Sequence, residues 1–318
     1  MGDRISVLSI LKLGSRFIWL KFLFQWAYWL GLIILVLNFT VANPGIALSG
    51  THISNSGIQI AQSSTSYYEK SSQLIKNGDY REAINVLTKA IQEDSDSIYT
   101  SIYYLYRGFA YYILDMNRKA IADYTASIEL NSDFSVSYSS RGEAYSYIGE
   151  YQKAISDYTQ AIQLDPDDAD FYNGRGEAYS YIGEYQKAIS DYTQAIQVDP
   201  DDSTAYFNRG NLYDDLGQYE AAISDYTQAI QLDPDDAAIY NNRGNSYSDL
   251  GENEEALDDY TQAIQLDPDD ATAYFNRGSV YDDLGEDKAA IYDYTKAIEL
   301  DPDDAAAYNN RGNSYSDL

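Results

Sequence analysis

Between residues 135 and 304, apolar and aromatic positions recur at the spacing of a helix face, and the whole pattern returns every 34 residues. In the stretch 169–202, Tyr172, Gly176, Tyr179 and Ile182 form a first stripe, ended by Gly183, a residue suited to a left-handed turn. A second stripe runs through Tyr185, Ala188, Ile189, Tyr192, Ala195, Ile196 and Val198. It stops at Asp199-Pro200, because proline disfavours helix at the residue before it. The pattern therefore predicts two antiparallel helices per unit, and a fixed period of this size marks a solenoid whose units stack along one axis.

The same register gives units at 135–168, 169–202, 203–236, 237–270 and 271–304, weaker copies at 64–97 and 101–134, and a first half-unit at 305–318. The stretch 141–168 returns at 175–202 with one change, Leu164 to Val198. The early copies drift: Asp115 stands at the turn position, Ser95 and Ser132 replace the proline, and Ile98 to Thr100 is an insertion. Solenoids normally end in an atypical polar cap. This one stops after a first helix that keeps Tyr308, Arg311 and Tyr315, so the sequence is expected to be incomplete.

The N-terminal part follows a different pattern. Residues 1–21 form a basic leader with Arg4, Lys12, Arg16 and Lys21 against Asp3. Residues 22–42 are apolar and uncharged, long enough to cross a bilayer as a hydrophobic helix. By the positive-inside rule the repeats are expected outside the cytoplasm, either membrane-anchored or, if the segment is a signal h-region with small residues at Thr40 to Ala42 or Gly45 to Ala47, secreted after cleavage. We favour the anchor, since the run exceeds a usual h-region. Residues 43–63, rich in Ser, Gly, Asn and Gln, read as a flexible linker before the array at 64–318.

Composition removes several classes. With 50 acidic and 21 basic residues the net charge is −29, the wrong sign for a nucleic-acid face. There is no cysteine, so no thiolate nucleophile or Cys-ligated metal exists, and the lone His52 cannot build a His-based metal site. The 34 tyrosines are read mostly as core. Each buried ring removes about 150–250 Å² from water. Ser, Asp and Lys recur by unit, with no break that could build a unique catalytic cleft. Asp165, Asp167 and Asp168 are ligand-rich but lack the turn glycine and terminal glutamate of a calcium loop. No cofactor is expected.

Tyr172, Arg175-Gly176, Tyr179, Ala188, Tyr192 and Pro200 resemble the signature of the tetratricopeptide repeat (TPR) family, and the units carrying it cover most of the chain. The resemblance implies an all-α fold, an α-solenoid of antiparallel helix pairs, here preceded by the N-terminal hydrophobic helix. It also implies a non-enzymatic scaffold that binds other proteins. Arginine departs from the family's usual leucine at Arg107, Arg141, Arg175, Arg209, Arg243 and Arg277. Sixteen residues after each stands Asp123, Asp157, Asp191, Asp225, Asp259 or Asp293, on the facing helix, whereas the first unit has Lys70 and Val86 and loses both. We expect a structural ion pair in each later unit.

The family's concave face is lined by the first helix of each unit. In this chain that face corresponds to Asp170, Asn173, Glu177 and Tyr181, then Phe207, Asn208, Asn211, Asp214 and Asp215. Asn241, Asn242, Asn245 and Asp249 follow, then Phe275, Asn276, Asp282 and Asp283. The asparagines resemble part of the family's carboxylate clamp, but its lysines and arginine are missing, which disfavours an acidic peptide. The expected partner is a basic or polar peptide; the alternatives are an enzyme or a divalent-cation-binding acidic repeat protein.

Overall fold

The computed structural model of the protein describes residues 55–93 and 99–318. The apolar segment 22–42, the leader before it, His52, Ser95 and Ile98 lie outside the described residues. Among those described, no helix is long and apolar enough to cross a membrane.

The described residues form fifteen helices and no strand. They are α1 (Asn55–Lys76), α2 (Tyr80–Glu93), α3 (Thr100–Ile113), α4 (Asn117–Leu130), α5 (Ser135–Tyr147), α6 (Tyr151–Leu164), α7 (Ala169–Tyr181) and α8 (Tyr185–Val198). The series continues with α9 (Ser203–Asp215), α10 (Tyr219–Leu232), α11 (Ala237–Asp249), α12 (Asn253–Leu266), α13 (Ala271–Asp283), α14 (Asp287–Leu300) and α15 (Ala305–Asp317). One expectation needs correction. Residues 55–63, read as linker, are helical, because nothing after Gly57 breaks a helix extending back from Lys76.

Within the compact unit Ile60–Leu318 each helix from α2 onward packs on its neighbours in sequence. Beyond these, the first helices of successive units touch (α3 with α5, α5 with α7, and so on to α15), while among the described elements no two second helices do. The first helices thus line the inner side of the curve and the second helices its outer side.

Two sequence features set this geometry. The turn within each pair needs a left-handed residue: Gly183 adopts φ +78° and Asp115, where glycine is replaced, is held at φ +59°. Close helix approach needs a missing side chain. A Cβ on Gly176 would lie 2.8 Å from the Tyr192 ring, and the same clash meets Gly210 and Gly244 against Tyr226 and Tyr260. Fully buried alanines flank each of these rings on the second helix, such as Ala188 and Ala195 around Tyr192. Burial raises the phenol pKa of Tyr124, Tyr158 and Tyr192 well above its ordinary value.

The acidic turns are caps. Asp168 accepts a hydrogen bond from the Asp170 amide at 3.0 Å, and Asp202, Asp236, Asp270 and Asp304 do the same for Thr204, Ala238, Thr272 and Ala306. The carboxylates before Pro166, Pro200, Pro268 and Pro302 fold back too, Asp267 accepting from the Asp269 amide at 3.1 Å. Local hydrogen bonding accounts for Asp165 and Asp168 in the same way. Among the described residues no three His, Asp or Glu side chains gather as a metal-ligand set.

Candidate functional site

Two systems of polar side chains run along the array. The first lies between the helices. Arg209 donates Nε to Asp225 Oδ2 at 2.7 Å and Nη2 to Oδ1 at 2.8 Å, a bidentate fork, and the equivalent bonds join Arg107 to Asp123, Arg141 to Asp157 and Arg175 to Asp191. Arg243 with Asp259 and Arg277 with Asp293 complete the series. The arginine side chains are 14–17% exposed and the aspartates 1–9%. Hydrogen bonding to the carboxylate holds the Arg209 guanidinium above its ordinary pKa.

The third corner of this arrangement is not apparent from the Arg-Asp interval. Nη1 of Arg209 donates to Thr193 Oγ1 at 2.9 Å, on the second helix of the preceding unit, and the Thr193 hydroxyl in turn donates a hydrogen bond to the Ile189 carbonyl at 2.7 Å. Thr88, Thr125, Thr159, Thr227 and Thr261 serve the other five arginines. Tyrosine rings flank the guanidinium, Tyr206 and Tyr213 each 5.9 Å from the Arg209 carbon. Each arginine is therefore a staple between units as well as within one. A threonine sixteen residues before each arginine from Arg141 onward was the available signal.

The second system lies on the inner face. Asn211 accepts from the Tyr226 hydroxyl at 2.8 Å and from Asn242 Nδ2 at 2.9 Å. Asn245 accepts from Tyr260 at 2.8 Å and from Asn276 at 3.0 Å, and Asn276 reaches Asn241 as well. Asn173 is buried and donates to Asp202 at 2.6 Å. Ser246 donates to Asp214, and Ser314 to Asp282 at 2.6 Å. Phe207 and Phe275 are half-buried against Tyr226 and Tyr294, with ring centroids 6.1 and 5.7 Å apart, and Asn208 is half-buried too. Thus the structure ties Asn211, Asn241, Asn242, Asn245, Asn276, Asp214 and Asp282 into bonds between units, while Asp170, Glu177, Tyr181, Asp215, Asp249 and Asp283 present exposed surface.

Glu143, not among the expected groove residues, holds the ninth place of its unit as Glu177 does. It keeps solvent-accessible surface and stands on the inner wall beside Tyr112, Glu177 and Asp170. Desolvation there, reinforced by the two like charges, pushes its carboxyl up to about 7. Desolvation also raises Glu177.

With this geometry in hand, comparison with family models is decisive. Models described as "TPR repeat" match residues 142–183, 210–251, 244–285 and 278–318, and models described as "Tetratricopeptide repeat" match 64–97, 169–202 and 191–224. The chain belongs to the tetratricopeptide repeat family. Its solved structural neighbours share the TPR fold. A tetratricopeptide repeat protein from Parabacteroides merdae is 21% identical, with TM-score 0.59, over 80% of this chain and 99% of its own. The C-terminal part of a TPR protein from Cytophaga hutchinsonii is also 21% identical, with TM-score 0.61, over 76% of this chain and 98% of its own. YrrB, described as a TPR protein with an unusual peptide-binding site, is 24% identical, with TM-score 0.52, over 59% of this chain and 97% of its own. A comparison with curated protein sequences found no match.

Proposed function

We propose that this TPR protein is a non-enzymatic scaffold whose inner face docks extended basic or polar peptides of other proteins, and that residues 22–42 place the array outside the cytoplasm, as a membrane anchor or after cleavage. The observation that carries the reading is the sign of the inner face. From the unit at 101–134 onward, the second, fifth, sixth, ninth, twelfth and thirteenth places of the first helices include no Lys or Arg, Lys76 in the first unit standing apart, while Glu143, Asp170, Glu177, Asp214, Asp215, Asp249, Asp282 and Asp283 all stand there. A concave wall of one charge sign raises the local concentration of oppositely charged segments and speeds their encounter.

A peptide array of basic, acidic and neutral sequences, probed with the full chain over a salt series, tests this. Basic peptides should be retained, and their retention should fall as the screening length shrinks toward about 8 Å at physiological ionic strength. Equal retention of acidic peptides, or binding indifferent to salt, refutes the electrostatic reading. Sequencing the N-terminus of the mature protein and probing its accessibility to added protease on intact cells tests the location.

A further inference from the structure

The inner face is not uniform along its length. In units 203–236, 237–270 and 271–304 the ninth place is Asn211, Asn245 or Ser279 and the thirteenth is Asp215, Asp249 or Asp283. In units 135–168 and 169–202 these places hold Glu143 with Tyr147 and Glu177 with Tyr181. Four residues apart on one helix, each glutamate and tyrosine share a face. The tyrosines are open, Tyr147 being 47% and Tyr181 62% exposed. They are also braced: Tyr112 meets Tyr147 edge-on at 5.9 Å, and Tyr151 stacks on Tyr181 at 4.8 Å and 10°. Rings held this way lose little freedom when a partner arrives, which favours them as anchors.

The chain itself displays what such a combination holds. Between its helices, six times over, a guanidinium sits against a carboxylate with tyrosine rings about it, as Arg243 does with Asp259, Tyr240 and Tyr247. The wall at Glu143, Tyr147, Glu177 and Tyr181 presents the same two kinds of group on an accessible surface. In the later units, by contrast, the asparagines are bonded to one another, leaving less of their capacity for a ligand.

We infer that this tyrosine and glutamate wall is the specificity site of the groove and takes an arginine side chain from an extended peptide of a partner protein, the planar guanidinium lying on the tyrosine faces with its edge toward the glutamates. Arginine fits better than lysine because it stacks on aromatic faces and forks to a carboxylate. The inference rests on the proposed basic-peptide reading and narrows it to one part of the array and one residue type.

The probe is a nine-residue fluorescein-labelled peptide of alternating arginine and glycine, with its lysine twin, titrated by fluorescence anisotropy into the full chain in neutral detergent. The arginine peptide should bind about fivefold tighter than the lysine twin, the order of one or two cation-aromatic contacts. Y147A/Y181A and E143Q/E177Q should each weaken it by about tenfold and erase the preference, whereas Y181F should keep it. Outer-face E254Q/E255Q should leave binding as in the parent, and D249N/D283N should weaken it less than E143Q/E177Q does. Circular dichroism and melting checks that each variant is folded. Equal losses in D249N/D283N and E143Q/E177Q, an intact affinity in Y147A/Y181A, or no preference for arginine in the parent would overturn the inference while leaving a diffuse basic-peptide groove standing. No salt-sensitive binding of either peptide would overturn the groove reading and the inference together.

Discussion

Removing one carboxylate from the interior ladder gives the sharpest test of what holds the units together. Asp225→Ala deletes both acceptors of the Arg209 fork, at 2.7 and 2.8 Å, and leaves a guanidinium that is only 16% exposed. Two hydrogen bonds to charged groups are worth about 1.5–3 kcal/mol each. Stranding one partner of a buried pair costs about 3–5 kcal/mol, so the two routes to the magnitude agree. Arg209→Leu should cost a similar amount, since it strands Asp225 instead. The double variant R209L/D225A should be less destabilised than either single, because no unpaired charge remains and leucine is the family's usual residue there. The assay is urea unfolding followed at 222 nm with hydrogen exchange, since an array of weakly coupled units can melt in parts. Exchange should rise first in α9 and α10. Single variants within about 1 kcal/mol of the parent, or a double variant costing the sum of the singles, would refute the ladder as a source of stability.

Three further outcomes are expected. Gly210→Ala puts a Cβ 2.8 Å from the Tyr226 ring and should cost about 1–3 kcal/mol by overpacking, read from the urea midpoint. Gly217→Ala, at φ +67° with open space around it, should cost only about 1 kcal/mol, the strain of a left-handed residue, in the same titration. Glu143→Gln should raise the melting temperature at pH 8. The folded carboxyl is raised from 4.5 to about 7, so its favourable contribution is full below 4.5 and is lost as pH rises through 7. The gap between variant and parent should close as pH falls over that window, and a gap constant with pH would contradict the assignment.

Much of the architecture is legible because the period repeats itself in plain residues. Gly183 and Pro200 bound the helices, and the chain obeys them since φ is a local property. Asp115 shows the turn surviving without glycine, which sequence alone leaves open. The sixteen-residue interval from arginine to aspartate is visible in the sequence, and hydrogen bonds run across that interval in the structure. Thr159, equally far before Arg175, is as visible but passes for an ordinary helix surface residue. The asparagine network is less accessible to reading. Asn211 with Asn242 and Asn245 with Asn276 span 31 residues, and Asn241 with Asn276 spans 35, so which pair meets depends on the rotation between units.

The staple from each arginine to the threonine one unit back makes the array modular in heredity as well as in space. Every unit from 135 to 304 brings its own fork and presents a fresh threonine to its successor, so duplicating or excising one of these units in frame leaves the arginine-threonine connections of the rest intact. The near-identity of 141–168 and 175–202 is what a copying event of this kind leaves behind. The length of the array can therefore vary between generations by recombination, with no substitution required in the arginine-threonine staple.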